Sequence, residues 1–266
     1  MARVASQRGN NDRATDGGML QQGGPIVADA YHQVKARLNE LVEKLAGEGR
    51  LQLPPEDQLS SVLGVSRPTI RSALLSLQKE GKIQRLHGRG TFINRYALRM
   101  PANVAEDWPF IDLLARLGYR PTLRTLSIQS MMLPADVVTA LEIVEPAPGV
   151  AIERVFEADG RPAVFSVDYV AADLLQSPVE DLDAGNSTFD FLSTNTPHRV
   201  QYSVADLIPT VPPRSVAKHL ELQPRDPLML IRHLHINAQQ QPIAVTEAYV
   251  NDAIIRFSVV RTYVDS

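Results

Sequence analysis

The sequence predicts an α+β protein with two domains: a small N-terminal domain of helices that ends in a β-hairpin, and a larger C-terminal domain built on an antiparallel sheet. The chain has 266 residues, more than one small domain usually needs. Apolar residues recur at three- and four-residue steps in the first part of the chain and alternate in several later segments. A set of short motifs also occurs twice in the second half, in the same order, which indicates a duplicated unit.

The composition limits what the chain can be. It has no cysteine, which excludes disulfides and thiolate metal sites and suits a reducing cytoplasm. No run of about 18 apolar residues is present, so we expect no membrane span. Residues 1–26 are rich in Gly, Gln, Asn and Arg and lack the apolar core of a signal peptide. We expect them to form a disordered tail.

Charge is distributed unevenly along the chain, although the net charge is only −3. Residues 27–99 contain 12 Lys and Arg against 7 Asp and Glu, whereas residues 119–266 contain 11 against 18. A basic first domain and an acidic second domain suggest that only the first contacts a polyanion.

The N-terminal domain, residues 27–98, begins with three predicted helices. The first covers Val27–Leu45, and a short second helix covers Glu56–Leu63 before Gly64 ends it. Ser66 is a good N-cap for the third helix, whose first turn tolerates Pro68. The apolar stripe of the first helix is Val27, Tyr31, Val34, Leu38, Leu41 and Leu45, and that of the third is Ile70, Leu74 and Leu77.

The third helix carries two arginines at its N-terminal end. Arg67 and Arg71 are four residues apart and therefore share one helix face. In a helix-turn-helix this end enters the major groove of DNA, where arginine makes bidentate contacts to guanine or phosphate. Thr69 could bond a phosphate or touch a thymine methyl group. On a helix considered alone, two arginines are more often a solvated surface.

A β-hairpin follows this helix and favours DNA binding over a solvated surface. Ile83–Leu86 and Thr91–Ile93 are predicted strands, and a tight turn at His87-Gly88-Arg89-Gly90 joins them. A small hairpin with a basic, glycine-rich tip after a recognition helix is a wing. Such a tip can reach into a minor groove of DNA.

Four motifs of this domain occur in unbroken order: Leu53–Glu56, Leu63–Arg71, Leu77–Gly81 and Gly88–Ile93. Together they resemble the GntR family of bacterial transcription regulators. The resemblance implies a winged helix-turn-helix that binds a palindromic, double-stranded DNA operator as a homodimer. Asp57 departs from the family pattern, which has a DNA-contacting arginine at this place. The residues assigned to DNA binding are Ser66, Arg67, Thr69, Arg71, His87, Gly88 and Arg89.

Residues 99–118 are predicted to be a semi-rigid linker between the domains. They contain Pro101 and Pro109, followed by a segment compatible with a short helix, Phe110–Leu117. We expect Trp108, the single tryptophan, to pack between the two domains.

The C-terminal domain, residues 119–266, contains segments in which apolar and polar residues alternate. These segments are Val150–Glu157, Pro162–Val170 and Leu228–Ile236, with further short strands at Arg124–Ser130 and Tyr202–Ile208. Each copy of the duplicated unit is predicted to be a helix, a strand, a turn and a strand. The helix motifs are Ala140–Ile143 and His219–Leu222, and the copies end at Tyr169 and Tyr249. Two such units would pair into one antiparallel sheet with helices against it.

The duplication singles out Arg154 and Arg232, each on the more apolar face of its predicted strand. A buried guanidinium needs an anionic partner. Two alternatives remain open: an internal carboxylate, such as Asp168, Asp206 or Glu247, or an anionic ligand bound between the two halves. The residues assigned to effector binding are Arg154, Ser166, Tyr169, Arg232, Thr246, Glu247 and Tyr249.

Further motifs, at Asp159–Pro162, Phe189–Leu192, Pro227–Arg232, Pro242–Tyr249 and Arg256-Phe257, resemble the UTRA effector domain of the HutC subfamily. The resemblance implies a fold like that of chorismate lyase and a small metabolite, often a sugar phosphate or a carboxylate, that changes operator affinity. Members that bind amino-sugar phosphates have Arg-x-Arg and a later glutamate. This chain has Arg154-x-Phe156 and Ser166, which favours a less charged or more apolar effector.

Two other functions are compatible with parts of the sequence. A lyase-like enzyme would need a catalytic constellation, yet the six histidines are scattered and no nucleophile motif is present. His233 and His235 share a strand face and could bind a metal, although an exposed face is the commoner explanation. An architectural DNA-binding protein without a ligand would not need the large, duplicated second domain.

The sequence therefore predicts a metabolite-responsive transcription regulator, a repressor, located in the cytoplasm at the nucleoid. We expect no catalytic residues, metal, cofactor or membrane contact, and a small effector that is anionic or polar.

Overall fold

A computed structural model describes residues 25–100, 102–223 and 225–261, with side chains from residue 33 onward. Residues 1–24 of the predicted tail lie outside the described residues, as do the side chains of Val27 and Tyr31. Residues 25 and 26, also assigned to the tail, are the first two of a helix.

The N-terminal domain consists of three helices and a hairpin, as predicted. The elements are α1 Pro25–Gly47, α2 Glu56–Leu63, α3 Arg67–Lys79, β1 Ile83–Leu86 and β2 Gly90–Ile93. One apolar core joins them, and Leu38, Leu59 and Ile70 are almost fully buried in it. Leu41 is only half-buried, because Val42 takes the inward position between Leu38 and Leu45.

Local contacts set the orientation of α3 and of the hairpin. Gly64 ends α2 in the left-handed conformation, with φ +66°, which glycine adopts without strain. The side chain of Ser66 accepts a hydrogen bond from the backbone N–H of Thr69 and caps α3. The segment before α2 pairs with β2, since the Leu53 N–H donates to the Thr91 carbonyl at 2.9 Å. The hairpin is thus attached to both sides of the helix-turn-helix.

The C-terminal domain is built on a six-stranded antiparallel sheet. The linker region contributes a 3-10 turn at Ala97–Arg99, β3 Ala102–Asn103 and α4 Phe110–Arg116. The sheet strands are β4 Pro121–Met132, β5 Pro148–Ala158, β6 Arg161–Ala171, β7 Tyr202–Thr210, β8 Leu228–Ile236 and β9 Pro242–Val250. Besides α4, three helices pack on the sheet: α5 Ala135–Ala140, α6 Thr188–Asn195 and α7 Arg214–His219. A short β10, Phe257–Ser258, pairs in parallel with β3.

The order of the strands, β4-β5-β6-β9-β8-β7, shows the duplication. Each copy is strand, helix, strand, strand, and the copies meet where β6 pairs with β9. The motifs Ala140–Ile143 and His219–Leu222, predicted to be helical, are instead the exits of α5 and α7. Glu142 and Glu221 have left-handed φ values of +58° and +55°, which end both helices at the same place.

The register of the sheet corrects one pairing within the repeat. Arg154 lies opposite Ser166, whereas His233 lies opposite Thr246. Because Ser166 and Thr246 are equivalent, the equivalent of Arg154 is His233 and not Arg232. The segment from His233 to Pro242 is one residue longer than the segment from Arg154 to Pro162. Because side chains alternate along a strand, a shift of one residue moves a side chain to the other face of the sheet.

Much of the segment assigned to the linker packs on the C-terminal sheet. Leu113 and Leu114 of α4 are buried against Phe156 and Val164. Trp108, expected between the domains, is 36% exposed. Its ring stacks with the guanidinium of Arg116, whose central carbon lies 4.4 Å from the ring centroid.

Candidate DNA interface and effector pocket

The N-terminal end of α3 presents the four residues that the sequence assigned to it. The side chains of Arg67 and Arg71 are 62% and 61% exposed. The hydroxyl of Ser66 lies 2.7 Å from that of Thr69, so both take part in the cap of the helix. The two arginines therefore form the exposed cationic part of this surface, and the two hydroxyl residues hold the helix end in place.

Carboxylates of α2 lie beside both arginines. Asp57 Oδ1 is 2.5 Å from Arg67 Nε, and Glu56 Oε2 is 3.0 Å from Arg71 Nη2. Glu56 also accepts from Arg85 of the hairpin, at 3.1 Å. Glu56 thus joins α3 to the hairpin, while Asp57 and Arg67 form an ion pair that is exposed on both sides.

The tip of the hairpin is exposed and tightly turned. His87, Gly88 and Arg89 all lie in solvent. Gly88 and Gly90 have φ values of +70° and +105°, which other residues adopt only with strain. Gln52 donates from Nε2 to the Arg89 carbonyl at 3.1 Å and fixes the tip to the loop before α2. The three tip residues form a small protrusion with a basic end.

The residues assigned to effector binding do not form one site, because they lie on two faces of the sheet. Arg154, Ser166 and Thr246 lie on the face covered by α4 and α6. The other four, on the face covered by α5 and α7, are Tyr169, Arg232, Glu247 and Tyr249.

Arg154 is fully buried and has an internal partner. It forms an ion pair with Asp168, and its Nη2 donates to the Ala184 carbonyl. Asp168 Oδ1 also accepts hydrogen bonds from Thr188 and Thr246, both at 2.7 Å. Of the two alternatives for Arg154, the internal carboxylate is therefore the one observed.

A chain of buried hydrogen bonds continues from Thr246. His235 Nε2 lies 2.8 Å from Thr246 Oγ1, and its Nδ1 lies 2.7 Å from Ser203 Oγ. Because Thr246 donates to Asp168, it accepts from Nε2–H, and Ser203 donates to Nδ1. Burial and the nearby His233 lower the pKa of His235 to about 3, so the ring is neutral. Sequence reasoning missed the links to Thr188 and Ser203, which only the sheet register and the position of α6 bring to this face.

On the opposite face, Arg232 also pairs with an internal carboxylate, but not with one of those named from the sequence. Its Nη2 lies 2.6 Å from Asp136 Oδ2, in the first turn of α5. Glu247 is its neighbour across the strands, and burial raises the pKa of this carboxyl although Arg232 lowers it. Burial also raises the pKa of Tyr169 to about 12.

A cavity of about 280 Å³ lies between the loop before α4 and the Arg154 face of the sheet. It is lined by Val104, Ala105, Glu106, Asp107, Trp108, Phe110, Leu113, Ser203, Ala205, Leu207, Ile231, His233 and Phe257. An adjoining cavity of about 30 Å³ extends it to Ser166, Thr188 and Thr246. The two cavities share Asp107, Trp108, Phe110 and His233. The larger cavity gives a small molecule room on that face of the sheet.

His233 is the least satisfied polar side chain of this cavity. Neither of its ring nitrogens has a hydrogen-bond partner among the described residues. The nearest carboxylate oxygen, Asp107 Oδ1, lies 3.8 Å from Nδ1. Burial lowers the pKa of His233, so the ring is neutral near pH 7 and offers one donor and one acceptor. Within the described residues, no three His, Asp or Glu side chains are placed to hold a metal ion.

The loop that lines the cavity also contacts the turn after the recognition helix. Lys82 Nζ lies 2.9 Å from Glu106 Oε1 and 3.0 Å from Glu80 Oε2. Asn103 donates from Nδ2 to the Glu80 carbonyl at 3.0 Å. Residues 103–107 therefore join the cavity to the turn between α3 and β1. We call these residues the coupling loop.

Comparison with known families agrees with this arrangement of domains. The model of bacterial regulatory proteins of the gntR family matches residues 30–93, and the UTRA domain model matches residues 116–254. The chain belongs to the GntR family. Its GntR and UTRA domains together are the architecture of the HutC subfamily, so the protein is a transcription regulator and not an enzyme.

Relatives are similar over most of their length. The regulator GgaR of Escherichia coli K12 is 27% identical over 228 residues, covering 82% of this chain and 87% of GgaR. The repressor NagR of Bacillus subtilis is 24% identical, covering 76% of this chain and 82% of NagR.

Solved structures share the fold. YydK of Bacillus subtilis, a possible transcriptional regulator, superposes with a TM-score of 0.66 at 18% identity, covering 87% of this chain and 99% of YydK. PhnF of Mycobacterium smegmatis has a TM-score of 0.55 at 18% identity, covering 86% of this chain and 99% of PhnF. No helix in the described part of the chain has the length and apolar character needed to cross a membrane.

Proposed function

We propose that this GntR-family regulator is a metabolite-responsive repressor that binds a palindromic operator as a homodimer. The observation that carries the proposal is the coupling loop, which lines the cavity of the UTRA domain and contacts the turn after the recognition helix. The name of the relative NagR, a transcriptional repressor, supports the sign of regulation. Its DNA target would place the protein in the cytoplasm, at the nucleoid.

Two surfaces of the N-terminal domain would contact the operator. Arg67 and Arg71 would enter the major groove, with Ser66 and Thr69 at the adjacent backbone. The wing residues His87, Gly88 and Arg89 would reach into the minor groove beside it. Both surfaces are exposed, and Glu56 holds them in a fixed relation through Arg71 and Arg85.

The exposed edge of the sheet supports a homodimer. Strand β7 lies at one end of the strand order, so one side of its backbone has no neighbouring strand within the described sheet. Its large apolar side chains Val204, Leu207 and Ile208 are 40–52% exposed. An unprotected edge with apolar side chains favours pairing with a second chain. A two-fold dimer would present two recognition helices about one turn of DNA apart.

Regulation would follow from a ligand in the cavity beside the coupling loop. A ligand changes DNA affinity only if it binds one arrangement of the two domains better than another. Contacts to Asp107 or Trp108 would shift the loop, and Glu106 would transmit the shift to Lys82. We keep Ser166 and Thr246 as effector contacts, because they line the smaller adjoining cavity. The four residues on the opposite face have no part in this proposal.

Operator binding with and without metabolites tests the proposed function. A genomic fragment that binds the full chain is identified first, and its affinity is then measured against a metabolite panel. At least one metabolite should change the affinity, and the same metabolite should raise the melting temperature of the chain. A chain that binds a specific fragment but responds to no metabolite would be an architectural protein. Absence of specific DNA binding would refute the proposal that the protein regulates transcription at an operator.

A further inference from the structure

The anion-binding position on the cavity face is already filled by the chain itself. Asp168 forms an ion pair with Arg154 and accepts hydrogen bonds from Thr188 and Thr246. These three donors are what a bound phosphate or carboxylate would require. Because Asp168 is fully buried among them, an anionic ligand would have to displace an internal carboxylate or lie beside it, and like charges repel at such distances.

The remaining charges around the cavity favour a cation. Among the described lining residues there is no lysine or arginine, whereas Glu106 and Asp107 are both present. Glu106 is neutralised by Lys82, and the nearby Arg116 is stacked on Trp108. Among the described residues, His233 is the one basic side chain within ion-pair distance of Asp107, at 3.8 Å, and its ring is neutral near pH 7. Asp107 therefore has no charged partner within ion-pair distance in the described structure, and its carboxylate is open to a cationic ligand.

Aromatic rings line the same space. Phe110 and Phe257 border the larger cavity, as does Trp108, whose ring already stacks with the Arg116 guanidinium. The face of an aromatic ring is electronegative and attracts an ammonium group, and the attraction strengthens when water is excluded. The unpartnered acceptor nitrogen of His233 would take a hydrogen bond from the same group. At about 280 Å³ the cavity suits a small molecule.

We propose that this cavity binds a small organic cation, a protonated amine on a compact apolar body, with Asp107 as its counter-ion. This assignment rests on the proposed function, since it names the effector class of the same cavity. It replaces the anionic effector that Arg154 and Arg232 suggested in the sequence. The amine lies between Asp107 and His233, and the apolar body lies against Phe110 and Phe257.

Matched pairs of small molecules test the charge of the effector on the full-length chain. The probes are benzylamine and benzoate, cyclohexylmethylamine and cyclohexanecarboxylate, and butylamine and butyrate, with inorganic phosphate as a further anion. Binding is measured by isothermal titration calorimetry. At least one amine should bind ten-fold or more tightly than its acid partner. Asp107→Asn should weaken that amine about ten-fold, whereas Asp173→Asn, an exposed carboxylate away from the cavity, should leave it unchanged.

Several results would overturn the assignment. They are an acid or phosphate that binds as tightly as the amines, an amine whose binding does not depend on Asp107, and the absence of binding by every amine. Binding of the genomic operator fragment is measured on the same preparation, so that the two proposals fail separately. If the chain binds the operator specifically and an anion releases it from the DNA, only the proposal of a cationic effector is refuted. Absence of specific operator binding would refute the regulator.

Discussion

Arg67 and Arg71 each lie beside a carboxylate of α2 in the protein without DNA. Asp57 and Glu56 are those carboxylates, and the Asp57 pair is exposed on both sides. Exposed ion pairs contribute little to stability. If both arginines contact DNA as proposed, the main effect of the pairs is on DNA binding, since each arginine has to leave a carboxylate before it contacts a phosphate or a base.

Replacing either arginine should weaken operator binding. Arg67→Ala and Arg71→Ala each remove a proposed groove contact, and each should cost roughly 1–3 kcal/mol of specific binding free energy. Fluorescence anisotropy with labelled operator measures the loss. Arg199→Ala, an exposed arginine of the C-terminal domain, is the control and should change nothing. Unchanged affinity in both recognition-helix variants would refute the docking of α3.

Removing the charge of Asp57 should have the opposite effect. Asp57→Asn frees Arg67 and removes an anion that would lie near phosphates, so operator binding should tighten by about 1 kcal/mol or less. Asp173→Asn is the matched control on a distant exposed carboxylate. The gain should shrink as salt is raised, because screening weakens both charges. Weaker binding by Asp57→Asn would mean that the pair positions Arg67 for DNA.

Arg154 should behave as a structural residue. Arg154→Met leaves Asp168 buried without its cation, which is expected to lower the free energy of unfolding by about 3–5 kcal/mol. Urea denaturation of the full chain measures this, and Arg161→Met, at the exposed first residue of β6, should be nearly neutral. Normal stability of Arg154→Met combined with lost effector response would restore the ligand-binding alternative.

At the scale of elements, the sequence pattern predicted the strands well and the helix exits badly. Strands β5, β6 and β8 were found because apolar and polar residues alternate in them. The motif Ala140–Ile143 has the composition of a helix, yet α5 ends at Ala140 and the chain then turns through a residue with a left-handed backbone conformation. Glu142 carries the positive φ there, and no glycine marks it. A glutamate in this conformation leaves no signal in the residue type.

The effector site could be predicted only in part, for a reason of register. The alternation along a strand shows on which face of the sheet a side chain lies only if the turn lengths of both hairpins, β5–β6 and β8–β9, are known. The second hairpin is one residue longer, so Arg232 lies on the opposite face and His233 takes the place of Arg154. Asp107 and Glu106 lie in the segment assigned to a linker, where no periodicity points to a role.

The coupling loop gives a prediction at the same scale. Glu106→Ala removes a charge-assisted hydrogen bond to Lys82, which is largely buried, and should lower the free energy of unfolding by roughly 1.5–3 kcal/mol. Trypsin should also cleave faster after Arg99, because the loop is no longer held against the α3–β1 turn. Glu180→Ala, an exposed glutamate, is the control. Unchanged stability and cleavage would mean that this contact does not join the domains.

At the scale of the whole molecule, the coupling loop lies between the cavity and the turn that follows α3. The acidic UTRA domain contains the cavity, and the basic N-terminal domain carries the recognition helix and the wing. Lys82 and Asn103 make the polar contacts between them in the described structure. A change at the cavity therefore has a short route to α3, the helix proposed to contact DNA.

Selection of binding sites from a random pool of double-stranded DNA tests the central claim most directly. The full chain should select an inverted repeat whose half-sites are centred about one helical turn apart. The Arg67→Ala variant should lose the sequence preference of each half-site, while Arg199→Ala should keep it. A selected pool without symmetry, or one that Arg67→Ala enriches equally, would contradict a dimeric regulator that recognises its operator through α3.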